Sequence, residues 1–183
     1  MALTRDLVVS TAVGILRRYG LADLSMRRLA RELDVQPGAL YWHVGSKQEL
    51  LVEVAAALLE AVPAPAPGDD PAAALAELAA QVRAALAPVP DAADVVGMAY
   101  AADPLSAPPL RTLRGLVAAA GVPVESEAAV TELLLHHVLG SVALEQNDRH
   151  VAALDGAHVG RPAEEHTAAF ELGLAVVLRG LTP

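Results

Sequence analysis

The sequence predicts an all-α protein of about nine helices. Three observations carry this. Apolar residues recur at helical spacing through most of the 183 residues, and no alternating apolar run marks a strand. Proline and glycine clusters cut the pattern into pieces of helical length. Capping residues stand at the start of several pieces.

The first helix is expected over residues 4–19, with Val8, Ala12, Leu16 and Tyr19 on its inner stripe and Gly20 stopping it. Ser25 caps a second helix, 26–33, which turns Leu29, Ala30 and Leu33 inward. Asp34-Val35 makes a tight turn, and Gln36-Pro37 opens a short third helix ending near Val44. Ser46-Lys47-Gln48-Glu49 has the form of a capping box and starts a fourth helix through about residue 62. Alternating prolines at 63, 65 and 67 lack donors and favour extended backbone, so 63–68 is a linker. Asp70-Pro71 restarts a helix. Breaks at 88–90, 103–109, 121–123 and 155–162 then outline helices near 71–87, 92–101, 109–120, 126–149 and 163–181.

Composition narrows the function classes. Without cysteine there is no disulfide framework, thiolate zinc site or cysteine nucleophile. The longest stretches free of charged residues are 12 residues, at 35–46 and 133–144, too short to span a bilayer. Arg17-Arg18-Tyr19 follows the apolar run 7–16 where a signal peptide needs small residues. A soluble cytoplasmic protein with no membrane partner is expected. The net charge of −9 is unevenly spread. Residues 1–50 carry seven basic and five acidic groups, net +2, whereas 51–183 carry a net −11. Only the head is suited to meet a polyanion.

Residues 25–44 have helix-turn-helix spacing, with small Ala30 where the two helices approach. At about 100° per residue, Leu40 and Val44 of the third helix share one face and Gly38 and Trp42 point the other way. Ala39 and Tyr41 lie on the flanks. Gly38 and Ala39 let the backbone approach a major groove, and Tyr41, Trp42 and His43 can touch base edges or phosphates.

These residues resemble the DNA-binding head of the tetracycline repressor (TetR) family: Leu24 to Ala30, Val35, Leu40-Tyr41-Trp42-His43-Val44 and Lys47 to Leu51. A more diffuse resemblance continues through His137 to Gln146, Phe170 to Leu174 and Gly180-Leu181. The resemblance implies a helix-turn-helix DNA-binding domain over 1–48 and a ligand-binding and dimerisation domain over 49–183, with the fourth helix connecting them. It implies DNA contacts from Arg27 and from Gln36, Pro37, Gly38, Ala39, Tyr41, Trp42 and His43 around the recognition helix. It also places Lys47 at a phosphate-contacting position, on a helix N-terminus that itself favours an anion. Two departures limit the likeness. Pro37-Gly38-Ala39 differs from the base-reading residues of the tetracycline repressors, so their operator does not carry over. Ala61 to Pro65 and Val96 stand where those repressors have histidines, which gives no support to magnesium–tetracycline recognition.

The expected function is a ligand-responsive repressor that binds a palindromic operator as a dimer and is released by a small apolar effector. The effector is expected between helices near 71–87, 92–120 and 126–149, where Gln81, Met98, Tyr100, His136 and His137 are the polar or adaptable groups. Dimerisation is expected through helices near 126–149 and 163–181, using Gly140-Ser141 and Gly173 flanked by Leu133, Leu139, Leu144, Leu172, Val176 and Val177. Glu164-Glu165-His166 reads as a solvated helix start. No enzyme, cofactor or metal is expected: Glu-x-x-His pairs from two helices, Gly-x-Ser-x-Gly elbows and phosphate-binding glycine loops are all missing from the sequence. The alternative is a helical-bundle carrier or small enzyme whose head binds no DNA.

Overall fold

The structure, a computed structural model, describes residues 2–66, 68, 70–154 and 159–181. Among these it contains α1 (Arg5–Tyr19), α2 (Met26–Glu32), α3 (Pro37–Val44), α4 (Lys47–Leu59), α5 (Pro71–Leu86), α6 (Ala92–Ala102), α7 (Pro108–Ala119), α8 (Val124–Leu154) and α9 (Ala163–Arg179), and no strand. Pro67 of the expected linker and residues 155–158 of the expected last break lie outside the described residues; 62–66 are not helical.

Local chemistry sets most of the boundaries. Thr4, Ser25 and Ser46 accept from the amides of Leu7, Arg28 and Glu49, and Asp70 accepts from Ala72 and Ala73. The turn after α2 closes with the Val35 amide donating to Ala30 O at 2.9 Å and the Asp34 amide to Arg31 O at 3.3 Å. This double closure needs a left-handed residue between helix and exit, and Asp34 supplies it at φ 53°.

Several expected bounds move. The fourth helix ends at Leu59 rather than 62, and the eighth runs from Val124 to Leu154 rather than 126–149. Tyr19 is not an inner residue. It is half exposed, and the Arg28 guanidinium covers its ring at 3.8 Å. α8 is long and apolar enough to cross a membrane by length and composition, an outcome the charge-free stretches concealed. Here it packs against α5, α6, α7 and α9.

Core residues run without a break from the head into the body. Val8, Ile15, Leu29, Leu40, Leu50 and Leu59 join Leu75, Leu86, Val96, Leu134 and Phe170 in one cluster. α4 joins the two parts, packing on α1 and along α6. The orientation of the head therefore depends on the body beneath it.

Candidate nucleic-acid interface

α3 is anchored by Leu40 and Val44, which are fully buried, one turn apart. The same rotation carries Trp42 to the opposite side, where it is 90% exposed, beside Tyr41 at 49%. An indole left so open costs hydrophobic free energy, and its neighbours are small. Gly38 has no heavy atom within 4 Å of where a Cβ would sit. Gln36 and Pro37 are exposed, Ala39 and His43 half-buried, and Gln36 spends its amide on no cap bond. α3 packs against both α2 and α4.

The cations of the head divide into two groups. Arg5 pairs with Glu53 at 2.5 Å, Arg18 with Glu32 at 3.2 Å, and Arg28 with Asp23. Arg17, Arg27, Arg31 and Lys47 are exposed and meet no carboxylate among the described residues. Arg27 is the second residue of α2 and Lys47 the first of α4, where the helix dipole adds to its charge. An exposed aromatic helix flanked by uncommitted cations suits a groove lined by phosphates.

The body is arranged differently from expectation. His136 is exposed and His137 half-buried in a groove of about 290 Å³ between α8 and α9, with Ser141, Arg161 and Phe170. The His137 ring stacks on Phe170 at 5.1 Å and shares a 2.9 Å hydrogen bond with Phe170 O. Met98 lines a second groove, about 480 Å³, between α6 and α8. Gln81 donates to Glu77 at 3.0 Å and lines neither groove. Tyr100 is half-buried and lines neither. Burial raises the pKa of its hydroxyl, Glu132 adds to the rise and Arg114 opposes it. His136 and His137 thus share one groove, Met98 lies in another, and Gln81 and Tyr100 line neither.

One expectation on α9 is corrected. His166 is buried, sharing a 3.1 Å hydrogen bond with Asp148, which also accepts from the Arg161 amide at 2.7 Å. Gly173 serves packing within the chain, since a Cβ there would run into the His137 ring. Sequence reasoning also missed Arg83 and Glu145, a buried pair at 2.5 Å joining α5 to α8. The signal was present. Arg83 stands beside Val82 and Leu86 on a core stripe, and Glu145 follows Val138 and Val142 at helical spacing.

The fold and this face are those of a helix-turn-helix protein with a surface suited to DNA. Residues 8–54 match the family described as bacterial regulatory proteins, tetR family. An HTH-type transcriptional regulator of Saccharopolyspora erythraea is 34% identical over 153 residues, covering 81% of this chain, and the chain spans 63% of that protein's length. Among solved structures, Mycobacterium smegmatis BioQ superposes with a TM-score of 0.84 at 34% identity over 98% of both chains. A structure of BioQ with its natural double-stranded DNA operator gives 0.80 at 32%, covering 98% of both chains. Streptomyces coelicolor ActR, in complex with (S)-DNPA, gives 0.78 at 30%, covering 99% of this chain and 98% of that one. The chain belongs to the TetR family of transcriptional regulators.

Proposed function

We propose that this protein is a ligand-responsive transcriptional repressor of the cytoplasm, which binds a palindromic operator as a homodimer and leaves it when a small apolar effector binds. The observation that carries the reading is α3, whose Tyr41 and Trp42 stand open beside the uncommitted Arg27 and Lys47. Arg27, Gln36, Pro37, Gly38, Ala39, Tyr41, Trp42, His43 and Lys47 form the proposed DNA contacts, with 1–48 as the DNA-binding domain. BioQ bound to its operator and ActR bound to a small molecule support both halves of the mechanism. The effector would act by population shift, binding better to a dimer whose heads are wrongly spaced for DNA. Met98 and His136 with His137 mark the two grooves where such a ligand would first be sought.

Dimerisation is proposed on α8 and α9. Leu144 (64% exposed), Leu172 (67%) and Val176 (56%) lie open on these helices with Leu133, and Gly140 leaves room for a close helix. An apolar face of this kind marks an interface. Leu139 instead packs inward near Gly97. Val176→Asp is expected to give a folded monomer that no longer holds a two-half-site duplex. Sedimentation and circular dichroism read the outcome, and a wild-type chain that sediments as a monomer at micromolar concentration sinks the dimer. Selection of duplexes from a randomised pool tests DNA binding itself: enrichment of paired half-sites is expected, and no enrichment overturns the reading.

A further inference from the structure

We infer that Asp91 is a positioning residue for operator binding, a latch that sets the angle of the DNA-binding head on the body. The inference rests on the dimeric repressor proposed above. Asp91 sits just before α6, where an aspartate ordinarily caps the helix it precedes. Here it makes no such cap. Its carboxylate reaches across to the head and accepts from the Leu21 amide, just past the end of α1, at 2.7 Å. The backbone bends to allow this: Asp91 is left-handed at φ 56°, one of only two non-glycine residues with positive φ among those described. The head is shaped to receive it. Gly20 is itself at φ 77°, and a Cβ there would lie 2.6 Å from the Asp91 carboxylate. An uncapped helix, a strained residue and a glycine on the receiving side are together an arrangement that favours the crossing bond over the local one.

The other side of the same turn is held by α8. The Gln146 amide donates to Val89 O at 2.7 Å, and lies 3.2 Å from Leu86 O and 3.4 Å from Ala87 O. Arg149 donates to Ala87 O as well. Residues 87–91 therefore form a bracket, fixed at one end to the helix proposed for the dimer and at the other to the head. In a dimer, two such brackets set the separation of the two α3 helices, and hence the half-site spacing that the protein accepts. A residue that merely stabilised the fold would have no effect on spacing.

Asp91→Gly removes the carboxylate while suiting the left-handed backbone, and Asp91→Asn keeps both an acceptor and tolerance of that backbone. The experiment selects duplexes from a pool of paired half-sites with a randomised spacer. Wild type is expected to enrich one spacing. Asp91→Gly should admit neighbouring spacings and bind the wild-type duplex about tenfold more weakly, the factor one hydrogen bond to a charged acceptor carries. Its affinity for unrelated DNA should not change. Asp91→Asn should restore the single spacing, and Gln146→Leu, which loosens the other end of the bracket, should broaden it. Hydrogen exchange of the wild-type Leu21 amide provides a reading independent of whether any variant folds: protection is expected, and free exchange overturns the latch. An Asp91→Gly protein with one spacing and unchanged affinity overturns it too. If wild type enriches no paired half-sites, the repressor reading has failed, a distinct outcome.

Discussion

Replacing Glu145 by alanine should destabilise the fold by about 3–5 kcal/mol, because it leaves the Arg83 guanidinium buried without a counter-charge. The two side chains are each about 10% exposed and meet at 2.5 Å between α5 and α8. Arg83 also donates to Thr167 of α9 at 3.3 Å and lies 5.3 Å from the Phe170 ring, while its Nε has no partner. Three helices thus share one cation. Most of the loss comes from the charge stranded in the core rather than from the pair's own worth. Arg83→Met with Glu145→Leu should accordingly recover most of the stability, since burying two charges is expensive to begin with. Urea unfolding followed by circular dichroism reads both variants. A Glu145→Ala chain within about 1 kcal/mol of wild type would show that water reaches Arg83 and solvates it.

Trp42→Ala should leave the melting temperature where it was and cut the preference for operator over unrelated duplex by about thirtyfold or more. With 90% of its surface in solvent, Trp42 contributes little to the core, so a stability change beyond about 0.5 kcal/mol is not expected. Exposed aromatics at the centre of an interface commonly contribute ~2 kcal/mol or more, about a thirtyfold change in affinity. Competition between selected and scrambled duplexes at fixed salt measures the effect, since phosphate contacts alone vary strongly with ionic strength. Unfolding of the head by this substitution would place Trp42 in the core and reverse the facing of α3.

How far the sequence could be read follows from how local each relation is. The facing of α3 was legible because Leu40 and Val44 lie four residues apart and Trp42 lies between them, a relation internal to eight residues. The tight turn at Asp34-Val35 was legible for the same reason. Tyr19 lay on the right stripe by angle, but angle does not record what packs over a side chain, and the ring lies half exposed under Arg28. His166 looked solvated among Glu164 and Glu165; its burial depends on Asp148, eighteen residues earlier. Gly173 was legible as a site of close helix packing, but not that the ring opposite it belongs to His137 of the same chain. Of the five candidate effector residues only His136 and His137 share a groove, for a general reason. A cavity is made by helices that pack at a distance, and helical periodicity carries no record of which ones do.

In the proposed dimer, the apolar face that α8 and α9 leave open would make the stability of this protein a matter of mass action. If a second copy covers Leu144, Leu172 and Val176, the folded state gains free energy with every rise in protomer concentration. Unfolding midpoints would then climb with concentration, and comparisons among variants hold only at matched concentration. The same law would operate inside a cell at low copy number: dilution separates the protomers, and a regulator made too sparingly loses structural stability together with its grip on paired half-sites.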